Sequence, residues 1–230
     1  DFGFALAPRL NAAGRLDDMS LGISCLLAQD LGLARQYAAE LDSLNVERRA
    51  IEQSMQVEAQ AFLSQLSFDG SELPECLCLY RHDWHQGVIG ILAGRIKEQF
   101  HRPTIVFAQG DEGELKGSAR SINGLHIRDL LEEISSQYPG LIKKFGGHAM
   151  AAGLTISAER LDTFKLALSL TAKKHLTAEQ LTAVIYTDGE LPKECFEIGF
   201  AQLLQNAGPW GQAFPEPVFD GEFSLISQKL

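Results

Sequence analysis

No apolar run in this chain approaches the roughly 20 residues that a membrane-crossing helix needs, and no signal peptide is visible in it. Cysteine is scarce: Cys25, Cys76, Cys78 and Cys195 are the four. Cys76 and Cys78 lie one residue apart, which is neither a zinc-knuckle spacing nor a redox pair. Buried thiols in a reducing cytoplasm are the reading that remains. An excess of positive charge is also missing. With 20 Lys and Arg against 30 Asp and Glu, the net charge is −10, which excludes a protein that coats nucleic acid indiscriminately but leaves room for a local basic site. There is no internal repeat and no low-complexity tract. The first residues, "DFGF", include no initiator methionine, so the chain reads as a piece of a longer protein.

One further absence organises the chain. Between Gly32 and Gly70 there is no other glycine and no proline. Leu33, Tyr37, Leu41, Leu44, Ile51, Met55, Phe62 and Leu66 recur there at helical spacings. The stretch reads as one long helix or two abutting ones, either connecting two domains or packed along its own. Before it, residues 1–20 read as an irregular segment with a short strand or turn at its start, and Ser20 is placed to cap a short helix to about Gln29. After it, strands ("CLCLYR", "PTIVFAQ", "ELKGSARSI", "GLTIS") alternate with helices ("GVIGILAGRIKEQF", "HIRDLLEEISSQY", and "AERLDTFKLALSLTAKKH" capped by Ser157). That alternation predicts an α/β fold with a mixed β-sheet and flanking helices. From about Thr182 a last module reads as strand ("AVIYTDGEL"), helix, loop and strand ("DGEFSLISQKL").

Four stretches carry candidate chemistry. In "PRLNAAGRL", Arg9, Asn11 and Arg15 surround small residues; arginine forks match phosphate oxygens, although a turn with solvated arginines has the same pattern. In "WHQGVIG", His85 and Gly87 precede a helix whose first N–H groups lack partners, an anion site in principle; a structural histidine is the plainer alternative. In "KGSARS", Ser118 and Arg120 share a strand face, with Ser121 beside them, and an exposed strand edge is the competing reading. In "FGGHAMAAG", Gly146 and Gly147 can present successive N–H groups to an anion, His148 adds a donor, and small residues keep the wall low; a glycine-rich turn between packed elements is the alternative. The cluster "RHDWH" holds His82, Asp83 and His85, but on a strand end His82 and Asp83 face opposite ways, which argues against a shared metal ion.

"FGGHAMAAG" resembles the signature of the DHH-associated domain of the DHH phosphoesterase superfamily. "PRLNAAGRLDDMS", "WHQGVIGILAGRIKE", "RPTIVFA", "KGSARSI" and "GPWGQAFPEPVF" are similar to the RecJ family of bacterial single-stranded-DNA-specific exonucleases. The resemblance implies 5′-to-3′ hydrolysis of DNA in recombination and repair, in the cytoplasm, with Mn²⁺ or Mg²⁺ held by Asp and His residues of a DHH domain. No DHH triplet occurs here, so catalytic residues and metal ligands are expected outside the chain, which would be inactive alone. The implied division is 1–73 for the end of the DHH domain and a long connecting helix, 74–176 for the DHH-associated domain, and 182–230 for the start of an OB-like nucleic-acid-binding module. Single-stranded DNA is the implied partner, with other repair proteins beside it and no membrane. Arg9, Asn11, Arg15, His85, Gly87, Ser118, Arg120, Ser121, Gly146, Gly147 and His148 are the candidate phosphate-binding residues. The alternatives are a smaller DHH enzyme acting on oligoribonucleotides or cyclic dinucleotides, a non-catalytic nucleic-acid-binding domain like that of alanyl-tRNA synthetases, and a structural α/β domain.

Overall fold

The stretch without glycine or proline folds as a single helix, α3 (Leu31–Phe68), of 38 residues, about 57 Å long at about 1.5 Å per residue. The computed structural model describes residues 2–68, 73–211, 214–224 and 226–228. The side chains of Phe62 and Leu66, the break at 69–72 and parts of the last expected strand lie outside the described residues. Two units can be distinguished, Asp1–Thr182 and Ala183–Leu230.

In the first unit the opening segment is helical, not irregular. A π-turn at Phe2–Leu6 runs into α1 (Ala7–Leu16), which has proline in its first turn, where the missing N–H costs no hydrogen bond. Ala12 and Ala13 are fully buried, so the small residues are there for close helix packing. Helix α2 (Ser20–Leu27) is capped by Asp18, which accepts from the Ser20 N–H at 2.8 Å, instead of by the Ser20 hydroxyl. That bond holds the Asp18 carboxyl below its usual pKa.

The sheet follows in the order β1-β2-β3-β5-β4. Its strands are β1 (Leu77–Tyr80), β2 (Thr104–Gln109), β3 (Glu114–Arg120), β4 (Lys144–Gly147) and β5 (Ala151–Ser157). Only β1 and β2 are parallel, joined by helix α4 (Ile89–Phe100), as a parallel crossover requires. Helices α5 (Ile127–Gln137) and α6 (Leu161–His175) complete the layer. Strand β4 was not anticipated, because glycines are poor strand formers. Ser157 precedes a 3₁₀ turn but makes no side-chain cap.

The two sheet faces are covered differently. One carries Ile105, Phe107, Leu115, Ala119, Leu154 and Ile156, packed under α5 and α6, with Phe107 and Phe164 edge-to-face at 5.5 Å. Cys76 and Cys78 belong to this side, and burial pushes Cys78 up to about 12 and Cys76 well above its ordinary value. The other face is covered by Met55, Ala59 and Leu63 of α3 and by α4 over β1 and β2. Among the described residues, the apolar cluster on that side includes none from β3, β5 or β4.

Among the described residues of the second unit one helix of more than a single turn forms, α7 (Ile198–Ala207). Of the two strands expected there, the described residues form only isolated bridges, Glu190 to Asp220 and Gly211 to Phe214. None of the described residues of this unit is buried. Extended segments whose apolar residues, such as Val184, Ile185 and Phe223, find no core to pack on gain little by assembling into a sheet.

Candidate nucleic-acid interface

On the uncovered half of the sheet, the register aligns Lys116 with Thr155 and Lys144, Ser118 with Gly153 and Gly146, and Arg120 with Ala151. Directly paired residues share a face. That face therefore shows a row of positive groups, then a row nearly free of side chains, then Arg120. Alternation along β3 turns Leu115, Gly117 and Ala119 into the core and leaves Lys116, Ser118 and Arg120 only partly buried.

Where β3 meets α1 and α4 the surface deepens into a cleft of about 410 Å³, lined by Arg15, Gln86, Gly87, Gly90, Ser118 and Arg120 among others. Three of the four stretches singled out in the sequence meet here. Arg15 Nη1 donates to the Gly87 carbonyl at 3.2 Å. Arg120 Nη1 donates to Ser118 Oγ at 3.2 Å and to the Ala119 carbonyl at 2.8 Å. Neither guanidinium has a carboxylate partner among the described residues. Burial, and behind it the charge of Arg15, hold Arg120 below the ordinary arginine pKa, although it stays protonated. Two like charges converging in a partly desolvated cleft are unfavourable unless an anion sits between them.

Glycines fix this geometry. A Cβ on Gly87 would lie 1.9 Å from the Arg15 carbonyl oxygen, so only glycine lets the end of α1 dock there. A Cβ on Gly90 would approach Ser118 Oγ to 3.0 Å and Arg120 Nη2 to 3.1 Å. Gly90, Gln86, Lys116 and Lys144 were not singled out in the sequence, and Gly153 was noted only as one of the small residues that keep the wall low. Only the pairing of strands brings the last three into one surface, and no local spacing announces it.

The remaining candidates sit elsewhere or are engaged. Arg9 donates to Asp42 at 2.7 Å and to the Ala5 carbonyl at 2.6 Å, holding α1 to α3. Asn11 lines a separate cleft. His85 uses Nδ1 to accept from the Gly87 N–H at 3.1 Å, a local turn contact. Ser121 is buried and donates to the Leu125 carbonyl at 2.7 Å, so it closes a loop and does not face the cleft. Gly146 and Gly147 are not in a turn but in β4, at the sheet edge. Around Gly146 a Cβ would meet nothing within 4 Å, whereas at Gly147, with φ +149°, it would strike the Ala151 carbonyl oxygen at 2.4 Å. Gly147 is thus required by the chain's own hairpin, and Gly146 is the open position. His148 is exposed and its N–H donates to the Ala151 carbonyl.

Catalytic divalent cations do not fit the described residues. No group of three or more His, Cys, Asp or Glu is placed to hold one. Asp18 caps α2, Glu114 pairs with Lys116 and Lys143, and the hydrogen bond from Arg81 holds Asp83 at about 2. Among the described residues no helix is long and apolar enough to cross a membrane.

Comparison with known proteins places a DHHA1 domain at residues 73–174. The chain is 55% identical over 230 residues to the single-stranded-DNA-specific exonuclease RecJ of Dickeya dadantii, covering all of this chain and 40% of that protein. It is 52% identical over 230 residues to the Escherichia coli RecJ, again covering all of this chain and 40% of the relative. The crystal structure of Thermus thermophilus RecJ in complex with Mg²⁺ matches 94% of this chain and 32% of its own, with a TM-score of 0.73 at 28% identity. The chain thus spans about 40% of the length of these curated relatives.

Proposed function

The chain belongs to the RecJ family of single-stranded-DNA-specific exonucleases, and on that premise we propose that the cleft between α1, α4 and β3 binds the terminal phosphate of a single DNA strand. The observation that carries this reading is the pair Arg15 and Arg120, two guanidiniums converging without a carboxylate partner among the described residues. Ser118 Oγ adds a hydroxyl beside Arg120. The bare row Ser118–Gly153–Gly146 lets the nucleotide lie close to the peptide backbone, with Lys116 and Lys144 beside it.

In this reading the chain positions DNA for a 5′-to-3′ exonuclease of recombination and repair. Bond cleavage falls to Mn²⁺ or Mg²⁺ held by another part of the relatives' length. Residues 1–73 complete the catalytic domain and connect it to the next, 74–176 form the DHH-associated domain, and 182–230 begin an OB-like module that helps hold the strand. The location is cytoplasmic, and other repair proteins are further partners.

The test is fluorescence anisotropy with 5′-phosphorylated and 5′-hydroxyl oligothymidylate across a salt series. Arg120→Ala is expected to abolish the preference for the 5′-phosphate and to reduce the salt slope by about 0.7, one single-strand phosphate contact. An unchanged preference and slope would make Arg120 an ordinary strand residue and sink the reading.

A further inference from the structure

A second cleft, of about 720 Å³, opens beside the earlier turns of α1, N-terminal to Arg15; Asn11, Arg48, Arg49, Glu52, Gln53 and Arg95 are among its lining residues. Its charge is unbalanced. Three guanidiniums face one carboxylate. Glu52 is almost wholly buried, accepting from Arg48 Nη1 at 2.9 Å and from Arg95 Nε at 3.3 Å. Arg48 also donates to Asn45 at 3.1 Å, yet its Nε is buried with no partner. Arg49 is exposed and unpaired among the described residues, and Arg95 keeps 56% of its side chain in solvent. The buried carboxylate holds both Arg48 and Arg95 and offsets one of the three positive charges, so two remain unbalanced in the cleft. The remaining wall mixes the side-chain amides of Asn11, Gln53 and Gln56, which suit sugars and base edges, with the apolar Phe4, Pro8 and Ile91, against which a base face can lie.

The two clefts share their helices. Asn11 precedes Arg15 by one turn of α1, about 6 Å. On α4, Gly90 borders the first cleft while Ile91 and Arg95 line the second. A strand leaving the first cleft along α1 or α4 reaches the second within about one helical turn.

We propose that this second cleft binds internal phosphates of the same DNA strand whose end the first cleft holds, with Arg49 and Arg95 as the contacting residues and Glu52 positioning Arg95. This rests on the terminal-phosphate reading, and the experiment separates the two. The probes are 5′-phosphorylated thymidine mononucleotide and 5′-phosphorylated hexathymidylate. The proteins are the wild type, Arg49→Gln/Arg95→Gln, Arg49→Lys/Arg95→Lys and Arg120→Ala. Both substituted arginines are exposed, so the fold is expected to survive.

The Gln double variant is expected to bind the mononucleotide as the wild type does. For the hexanucleotide it should lose roughly tenfold in affinity and about 1.4 in salt slope, two contacts at about 0.7 each. The Lys double variant should recover most of both. Wild-type hexanucleotide affinity and slope in the Gln variant would overturn the second cleft, while a mononucleotide defect in Arg120→Ala would leave the first intact. Conversely, an Arg120→Ala protein that binds the mononucleotide normally would overturn the first reading, and the hexanucleotide loss in the Gln variant would still decide the second.

Discussion

Gly147→Val should unravel the β4–β5 hairpin. The residue sits at φ +149°, and a Cβ there would lie 2.4 Å from the Ala151 carbonyl oxygen and 2.5 Å from the Ala152 Cα. Both obstacles are backbone of the paired strand, so no side-chain rotation relieves them. Strain of this kind, added to a β-branched residue in a glycine-only conformation, costs on the order of 3 kcal/mol or more. For a chain of this size that is a fall of roughly 10 °C in the melting midpoint. Differential scanning calorimetry reads the shift, and hydrogen exchange should place the lost protection in 144–157. Gly146→Ala is the control, since nothing lies within 4 Å of its Cβ position; its midpoint should hardly move. A Gly147→Val protein as stable as its parent would refute the hairpin geometry.

Gly87→Val tests a different link, from packing to binding. The added carbon would overlap the Arg15 carbonyl at 1.9 Å and its carbon at 2.8 Å, so the end of α1 has to move away and carry Arg15 with it. The sheet and its α5–α6 core do not touch this contact. Phosphate affinity is therefore expected to fall by about tenfold or more, the order of one lost charge-assisted pair, while the slowest-exchanging amides of β2 and β3 keep their protection. Anisotropy with 5′-phosphorylated oligothymidylate and hydrogen exchange on the same sample check both halves. Undiminished affinity would mean that Arg15 does not need its docked position.

The parts of the fold legible in sequence are those that local pattern controls. The absence of glycine and proline from 33 to 69 predicts α3, and the apolar run of "TIVFAQ" predicts a strand buried on both sides, which β2 is. Strand β4 escaped because its glycines have low intrinsic preference for extended pairing and are held there by β5. Helix α1 escaped because proline and glycine suggest a break, while its stability comes from burying Ala12 and Ala13 against neighbours. The same limit governs the site. Arg15, Ser118 and Arg120 are marked by residue type and by neighbouring small residues, and they do converge. Ser121 has the same composition around it, but its hydroxyl turns inward to Leu125. Lys144 and Gly153 belong to the surface only through register, which no single stretch encodes. In 183–230 the alternation that suggests strands is present, but no described residue there is buried, so the pattern has no core to act on.

Gly90 has an effect on Arg120 that concerns entropy more than charge. Because α4 has no side chain at that position, the guanidinium lies close against the helix, its Nη2 about 3.1 Å from where a Gly90 Cβ would sit. Ser118 Oγ and the Ala119 carbonyl hold the same group from below. An arginine free in solvent gives up rotamer freedom of up to about 2 kcal/mol when it is immobilised. Here most of that freedom is already lost when the domain folds, so an arriving anion meets a donor fork that has stopped moving, and its capture draws less on the ligand's own binding free energy.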